Sequence, residues 1–502
     1  MPAARELRDH AESRRLAALS GLETARQAQL GQHFTPVETA ELMASLPELP
    51  ASGVLRVLDP GAGAGILTAA LVARVLDVAP ELSLELVAVE TDAALIPHLG
   101  GTLEECRRTA TATGTQIQYQ IVQADFIESL TSMPDGPLSS AAPFDLTIMN
   151  PPYGKLAASS VHRRALARNG LVCPNLYAAF LALGVSMLKR GGQVVAITPR
   201  SFTNGPYFGE FRRKFLSAVA LNDIHTYASR SRVFAESGVL QETVIIRATK
   251  GGNARKVRLS MSADHRSLSA ERLVSAEEVV HPEDPHKFIR IVGSNEEQTA
   301  IDALGEMPGR LGDLGISVST GRVVDFRARR HLLKDPTPEC APLVYPGNCV
   351  GGVVIWPRDI RKPQGFRLGD DLAARQVVPN GTYVVVKRFS TKEERRRIVA
   401  AVWDGDARGH PAVAFENHLN VFHQAGAGID RDLAVGLSYW LNSTLIDRFF
   451  RTFSGHTQVN VADIRALPFP SPIQLVSLGQ RCQPQLPGQA EIDSMVTTAF
   501  GL

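Results

Sequence analysis

A short run of strand-forming residues, Val54-Leu55-Arg56-Val57-Leu58, breaks into Asp59-Pro60-Gly61-Ala62-Gly63-Ala64-Gly65 and resumes as the apolar stretch Ile66–Leu76. Strand, glycine loop and helix in that order constrain the chain more than anything else in it. The helix has to fold back over the sheet that holds the strand, which makes the first crossover of a doubly wound α/β fold. Glycines in such a loop let backbone approach a ligand without a Cβ in the way. The spacing Gly61-x-Gly63-x-Gly65 differs from the G-x-G-x-x-G of dinucleotide sites, and a carboxylate, Asp59, stands at its head.

Further strands follow in register with that beginning. Leu84–Val89 ends in Glu90, and an acid at a strand end can accept two hydrogen bonds from a ribose diol. Gln118–Gln123 leads to Asp125-Phe126, a carboxylate beside an aromatic face, which suits the amine and ring of an adenine. Phe144–Met149 then stops abruptly at Asn150-Pro151-Pro152-Tyr153. Consecutive prolines cannot continue a sheet ladder, so Asn150 is left at the strand tip, where ligands bind in open α/β sheets. Upstream, Thr35-Pro36 followed by Val37, Ala40, Met43 and Leu46 reads as a capped helix.

The 502 residues call for two or three domains. A polar-rich helical extension spans 1–30 and an α/β domain 31–252. In the latter, helices are expected over Leu176–Leu188 and Phe208–Val219, and strands over Gln193–Thr198, Ile224–Tyr227 and Leu240–Ala248. Residues 253–285, with His281-Pro282-Glu283-Asp284-Pro285, read as linker. A second, mixed α+β domain of glycine-punctuated strands covers 286–470, and 471–502 is a tail. The 44% hydrophobic and 21% charged content is that of a soluble globular protein. No signal-like start and no long apolar run point to secretion or a membrane. Five scattered cysteines without a C-x-x-C pair argue against structural zinc and a disulfide framework, and fit a reducing cytoplasm.

Residues 321–400 hold 16 Lys and Arg against 8 Asp and Glu, although the whole chain is only +2. A basic segment on a chain that is otherwise net acidic suggests a surface for a polyanion. Candidates for phosphate contact are Arg327, Arg329, Arg330, Lys387, Arg388 and Arg395–Arg397. Trp356, Trp403 and Trp440 are expected in the core.

Taken together, these motifs resemble those of S-adenosylmethionine-dependent N6-adenine DNA methyltransferases of restriction–modification systems. The likeness runs through residues 30–250 and, more loosely, Phe389–Phe469. It implies a Rossmann-like methyltransferase domain followed by a target-recognition domain. Asp59, Gly61, Gly63 and Gly65 resemble the donor loop, Glu90 the ribose acid and Asp125-Phe126 the adenine pair. Thr35, in Phe34-Thr35-Pro36, resembles the motif beside the methionine moiety. Asn150, Pro151, Pro152 and Tyr153 match the catalytic motif, and Phe234 the second aromatic that would clamp a flipped base opposite Tyr153. With only 24 residues between Asp125 and Asn150, no recognition domain can intervene, which gives the gamma order of segments. Phe453-Ser454-Gly455-His456-Thr457-Gln458-Val459-Asn460 resembles a segment recurrent in recognition regions.

The resemblance implies S-adenosylmethionine as cofactor without a metal, double-stranded DNA as partner and no membrane. It also implies a bacterial cytoplasmic, nucleoid-associated enzyme. A monomer suffices for one-strand-at-a-time modification. No nuclease cluster is visible, so a cognate restriction endonuclease would be separately encoded. Asn-Pro-Pro-Tyr also serves enzymes that methylate a release-factor glutamine or ribosomal RNA, but these resemble only the catalytic half. A C-terminal region of about 200 residues carrying a basic stretch argues against the glutamine enzyme, which needs no such reader, and leaves RNA as the runner-up substrate.

Overall fold

The structure, a computed structural model, describes residues 2–21, 34–132, 138, 143–227, 242–262, 270–305, 307, 309–390, 394–405, 409–454 and 457–502. It divides into two compact units, Met1–Gly293 and Ser294–Leu502.

In the first unit the elements follow as α1 (Pro2–Ser20), α2 (Val37–Ser45), β1 (Gly53–Pro60), α3 (Ile66–Val78), β2 (Leu82–Glu90), α4 (Ile96–Ala112) and β3 (Ile117–Gln123). Next come α5 (Phe126–Thr131), β4 (Phe144–Met149), α6 (Val161–Arg168), α7 (Leu176–Met187), β5 (Leu188–Pro199), α8 (Gly209–Ala218), β6 (Val219–Tyr227), β7 (Thr243–Lys250), β8 (Lys256–Ser262) and β9 (Ala270–Ser275). The nine strands form one sheet in the order β3-β2-β1-β4-β5-β7-β6-β8-β9. β1 to β5 run parallel, while β7 lies antiparallel between β5 and β6. The direction of winding reverses between β1 and β4, so the crevice beyond their carboxyl ends is where such a sheet receives ligands.

Alternation along the strands fixes which face carries which helices. Leu55, Val57, Leu84, Leu86, Leu146, Ile148, Val195 and Ile197 point to one side, into a core shared with α1, α2 and α3. α1 joins it through a single stripe, Ala4, Leu7 and Ala11, at helical spacing, while Ala18 packs separately with Phe34, Ala64 and Leu95. Arg8 of α1 pairs with Glu41 and Asp77. The N-terminal segment, read from the sequence as an extension, is thus packed on the sheet's own helical layer.

The expected linker is a correction. Within 253–285, β8 pairs parallel with β6 and antiparallel with β9. Only Val257 and Leu259 of its first residues are buried, between exposed Lys256 and Arg258. Such a half-polar strand looks like loop to a reader of composition. The change of unit comes later, between Gly293 and Ser294.

The second unit holds short strands, β10 (Ser317–Thr320), β11 (Leu332–Leu333), β12 (Ala341–Val344), β13 (Cys349–Val350), β14 (Val353–Val354), β15 (Gly365–Phe366), β16 (Val377–Pro379), β17 (Tyr383–Lys387), β18 (Ala400–Trp403), β19 (Ala412–Phe415) and β20 (Leu419–His423). Among the described residues these make a six-stranded sheet, β10-β20-β17-β18-β14-β13, and a five-stranded one, β11-β15-β12-β19-β16. Trp403 and Trp440 are fully buried, whereas Trp356 is half-buried. Residues 471–502, expected as a tail, fold into helices Pro472–Arg481 and Gln489–Phe500.

Helix Pro472–Arg481 crosses helix Arg431–Leu441 backbone against backbone. A Cβ on Gly436 would sit 1.9 Å from the Leu475 carbonyl oxygen, and one on Gly479 1.8 Å from that of Asp432. Neither carbonyl can swing away as a side chain would. Gly436→Ala and Gly479→Ala are each expected to cost about 3 kcal/mol, the upper end for overpacking, measured as a fall in the urea midpoint of the second unit. Unchanged midpoints would mean that the two helices are not held at this separation.

Candidate active site

The loop after β1 takes its shape from three glycines in left-handed conformations, with φ of 75°, 58° and 86° at Gly61, Gly63 and Gly65. Side chains rarely adopt these angles. Gly61 and Ala62 donate to the Val89 carbonyl at 2.8 and 3.0 Å, which holds the loop against the end of β2. Glu90, at that end, accepts from Gly63 N at 2.9 Å through one oxygen and from Asp92 N at 2.8 Å through the other. Each carboxylate oxygen accepts more than one hydrogen bond, so Glu90 is oriented by the protein and still able to serve a ligand. Burial raises its pKa, and the two backbone donors oppose that rise.

Asp59 lies beneath the loop, 1% exposed, and accepts from Thr68 Oγ1 at 2.7 Å. Burial pushes its carboxyl up to about 7; the Thr68 bond opposes that and the nearby Glu90 charge adds to it. Asp125 caps α5, its Oδ1 accepting from Glu128 N at 2.8 Å. The ring of Phe126 packs on Phe180 with centroids 5.0 Å apart.

Asn150 follows the last residue of β4, one strand over from the glycine loop. Its Nδ2 donates to Thr35 Oγ1 at 2.9 Å, across 115 residues of chain. In this arrangement Thr35 holds the amide nitrogen and the carbonyl points to the opposite side. Thr35 is itself 3% exposed, held in the segment that leads into α2. Tyr153 is half-buried, its ring edge-on to Tyr177 at 6.3 Å, and burial raises its pKa.

One cavity of about 380 Å³ brings most of these residues together. Thr35, Gly61, Gly63, Glu90, Asp125, Phe126, Asn150 and Pro152 line it, whereas Asp59, Gly65, Pro151 and Tyr153 do not. Gly65 is instead packed on Leu99 and Thr102, where a Cβ would come within 3.0 Å of Leu99. Phe234 lies outside the described residues. Sequence reasoning missed Phe180, Lys155 and His162 as lining residues. No motif marks them: the chain after the double proline turns back and delivers them.

This cavity fits S-adenosylmethionine. Glu90 can take a ribose diol, Asp125 has an oxygen not used by the helix cap, and Phe126 and Phe180 offer apolar faces to a purine. A Cβ on Gly61 or Gly63 would project to within 4 Å of Phe180 or Phe34, into the same space.

In the second unit the basic candidates separate. Arg327, Arg329, Arg330 and Arg395 are exposed, and Lys387 and Arg388 are half-buried. Arg397 is 1% exposed and bonded to Ser390 and Ser454, with its guanidinium over Phe450. Arg396 holds Ser443 O and Gln489. These two build the unit and do not face a ligand, a correction to the expectation from charge alone. Gln458 bridges to Phe389, and Val459 N donates to Arg388 O at 2.7 Å, so this part of the recurrent segment forms a turn against Arg388–Ser390. No helix among the described residues is long and apolar enough to cross a membrane.

Comparison with known proteins agrees with this geometry. The Eco57I restriction-modification methylase family matches residues 102–234. The type II methyltransferase M.BsuBI of Bacillus subtilis is 40% identical over 476 residues, 93% of each chain. The type II methyltransferase M.PstI of Providencia stuartii is 37% identical over 494 residues, 98% of this chain and 97% of its own. In fold the chain is similar to the type IIL restriction-modification enzyme MmeI, solved in complex with DNA, with a TM-score of 0.57 at 11% identity over 98% of this chain and 75% of that one. The chain belongs to the type II methyltransferases, as a site-specific, S-adenosylmethionine-dependent adenine-N6 DNA methyltransferase of a restriction–modification system.

Proposed function

We propose that Asn150 and the backbone carbonyl of Pro151 are the catalytic acceptors for the N6 amine of an adenine turned out of double-stranded DNA. The observation that supports this above others is the Asn150 amide, anchored on Thr35 in the cavity that holds Glu90 and Asp125. Adenine's exocyclic nitrogen is a poor nucleophile because its lone pair is delocalised into the ring. Two acceptors, each taking one N6–H, draw that nitrogen towards tetrahedral geometry and favour the positive charge that develops on it. Bound S-adenosylmethionine supplies an electrophilic methyl on a sulfonium. Glu90 orients the ribose, Asp125 and Phe126 the adenine, and Thr35 sets the Asn150 amide. Tyr153 stacks on the extruded base and offsets part of the few kcal/mol, on the order of one stacking step, that flipping costs. Transfer of a labelled methyl group to plasmid DNA and not to ribosomal RNA is the expected outcome; label confined to RNA would overturn the reading.

Asp59 adds a pH signature. Its raised pKa means that the folded, unliganded protein holds this proton more tightly than the unfolded chain does. The stability gained is present in full below the ordinary carboxylate range and is lost as pH rises through about 7. A cationic donor bound nearby favours the ionised form, so binding at neutral pH is expected to release part of a proton. Calorimetric titration in two buffers of different ionisation enthalpy measures this, and an apparent enthalpy that is the same in both would remove Asp59 from the donor site.

The recognition domain expected over residues 286–470, which from Ser294 onward is the second unit, reads the DNA sequence in this proposal, through its exposed basic loops. The enzyme acts as a monomer beside a separately encoded endonuclease. Sedimentation with and without a DNA duplex tests the first of these statements.

A further inference from the structure

The cavity carries polar side chains that neither the catalytic motif nor the donor motifs contain, and one of them is a histidine beside Asp125. After Tyr153 the chain turns back over the cavity and enters α6, so that Lys155, Ser160 and His162 line it. Ser160 caps α6, its hydroxyl accepting from Arg163 N at 3.1 Å, which fixes the helix's first turn and the direction in which His162 leaves it. His162 Nε2 stands 3.2 Å from Asp125 Oδ2 and 3.6 Å from Glu128 Oε1. It is buried, yet it is off-axis for a hydrogen bond to either and makes none among the described residues.

A ring nitrogen between two carboxylates carries its proton there, because a lone pair would face oxygen lone pairs. That N–H is therefore a donor within the cavity whose hydrogen bond the carboxylates do not take. Asp125 presents the complement: Oδ1 is committed to Glu128 N at 2.8 Å, which leaves Oδ2 as its acceptor. An acceptor and a donor stand side by side, 3.2 Å apart. Adenine offers the matching pair on either of its edges, an amine hydrogen next to an unprotonated ring nitrogen.

We propose that His162 is a specificity-determining residue for the methyl donor: its Nε2–H donates to the adenine ring nitrogen adjoining the amine that Asp125 accepts. The proposal rests on Asp125 being the adenine acceptor. It also gives the segment from Asn150 to His162 two tasks, since one end holds the methyl acceptor and the other reads the donor's base.

The test is calorimetric binding of S-adenosylhomocysteine and its 1-deaza and 7-deaza counterparts, each lacking one of the two ring nitrogens. The wild-type protein should bind one deaza compound about tenfold more weakly than the parent, the loss of one hydrogen bond to a charged or polarised donor. His162→Ala should weaken the parent by a similar factor and abolish the difference between parent and that analogue, a coupling that a purely structural histidine would not show. His162→Asn, which keeps an N–H donor, should recover part of it, and melting temperatures without ligand report whether either variant is folded. If both deaza compounds lose equally in wild type and His162→Ala, the proposal is overturned while Asp125 keeps its role. If Asp125→Ala binds the parent as well as wild type does, the reading of Asp125 falls and this proposal with it.

Discussion

Replacing Asn150 by alanine is expected to lower methyl transfer by at least about a thousandfold, the scale of losing preorganised hydrogen bonding at a developing charge. Donor and DNA binding should persist, because Glu90, Asp125 and the basic loops are untouched. The discriminating comparison is Thr35→Val. It keeps Asn150 and the volume of the side chain but removes the hydroxyl that the amide Nδ2 donates to at 2.9 Å. An amide without that anchor loses a hydrogen bond that holds it in place, so its carbonyl is less well positioned for the N6 amine. A fall in kcat of about tenfold to a hundredfold, at saturating donor, is the expected result. Single-turnover rates with a hemimethylated duplex measure both variants. Wild-type turnover in Asn150→Ala would remove the mechanism entirely. An unchanged kcat in Thr35→Val would mean that this hydroxyl does not position the Asn150 amide.

Binding to the recognised DNA sequence is expected to fall steeply with salt, by on the order of a hundredfold to a thousandfold between 50 and 200 mM, as about five phosphates shed counterions. The structure says which side chains can contribute. Arg327 and Arg329 are exposed, so Arg327→Ala with Arg329→Ala should reduce the slope of log affinity against log salt by about two. Arg397 is enclosed by Ser390, Ser454 and Phe450. Its removal should lower the melting temperature of the second unit, where a buried guanidinium's hydrogen bonds are lost. The slope should stay as it was in whatever fraction remains folded. A salt response that is flat in the wild type would mean that the basic loops of the second unit do not meet phosphate.

How much of this could be read from the sequence follows from how far apart the interacting residues lie. The glycine loop, Glu90, Asp125 and Asn150 each follow a strand, and parallel strands put their carboxyl ends on one edge. Their convergence was therefore legible once the strands were. The contact between Thr35 and Asn150 was not, because a hydrogen bond across 115 residues leaves no periodic trace. Nor was His162, whose position depends on how the chain turns after two prolines. Composition misjudged the segment after residue 252, since the first residues of β8 alternate charged and apolar. It also counted Arg396 and Arg397 as ligand-facing, because a sum of charges cannot tell an enclosed guanidinium from one in water. Asp59 and Gly65 belong to the donor loop by position, yet one lies below it and the other supports it.

The tie between Asn150 and Thr35 bears on how this enzyme can be cut down. A shortened protein beginning at β1 would retain every glycine and carboxylate around the donor, together with the Asn-Pro-Pro-Tyr tetrapeptide. It would lack the hydroxyl that the Asn150 amide donates to, and with α1 and α2 gone part of the core they share with α3 would be uncovered. Such a fragment, even if rescued from aggregation, would be a receptor for the cofactor and a silent transferase. Boundaries drawn around the signature tetrapeptides alone pass through the middle of the reaction centre.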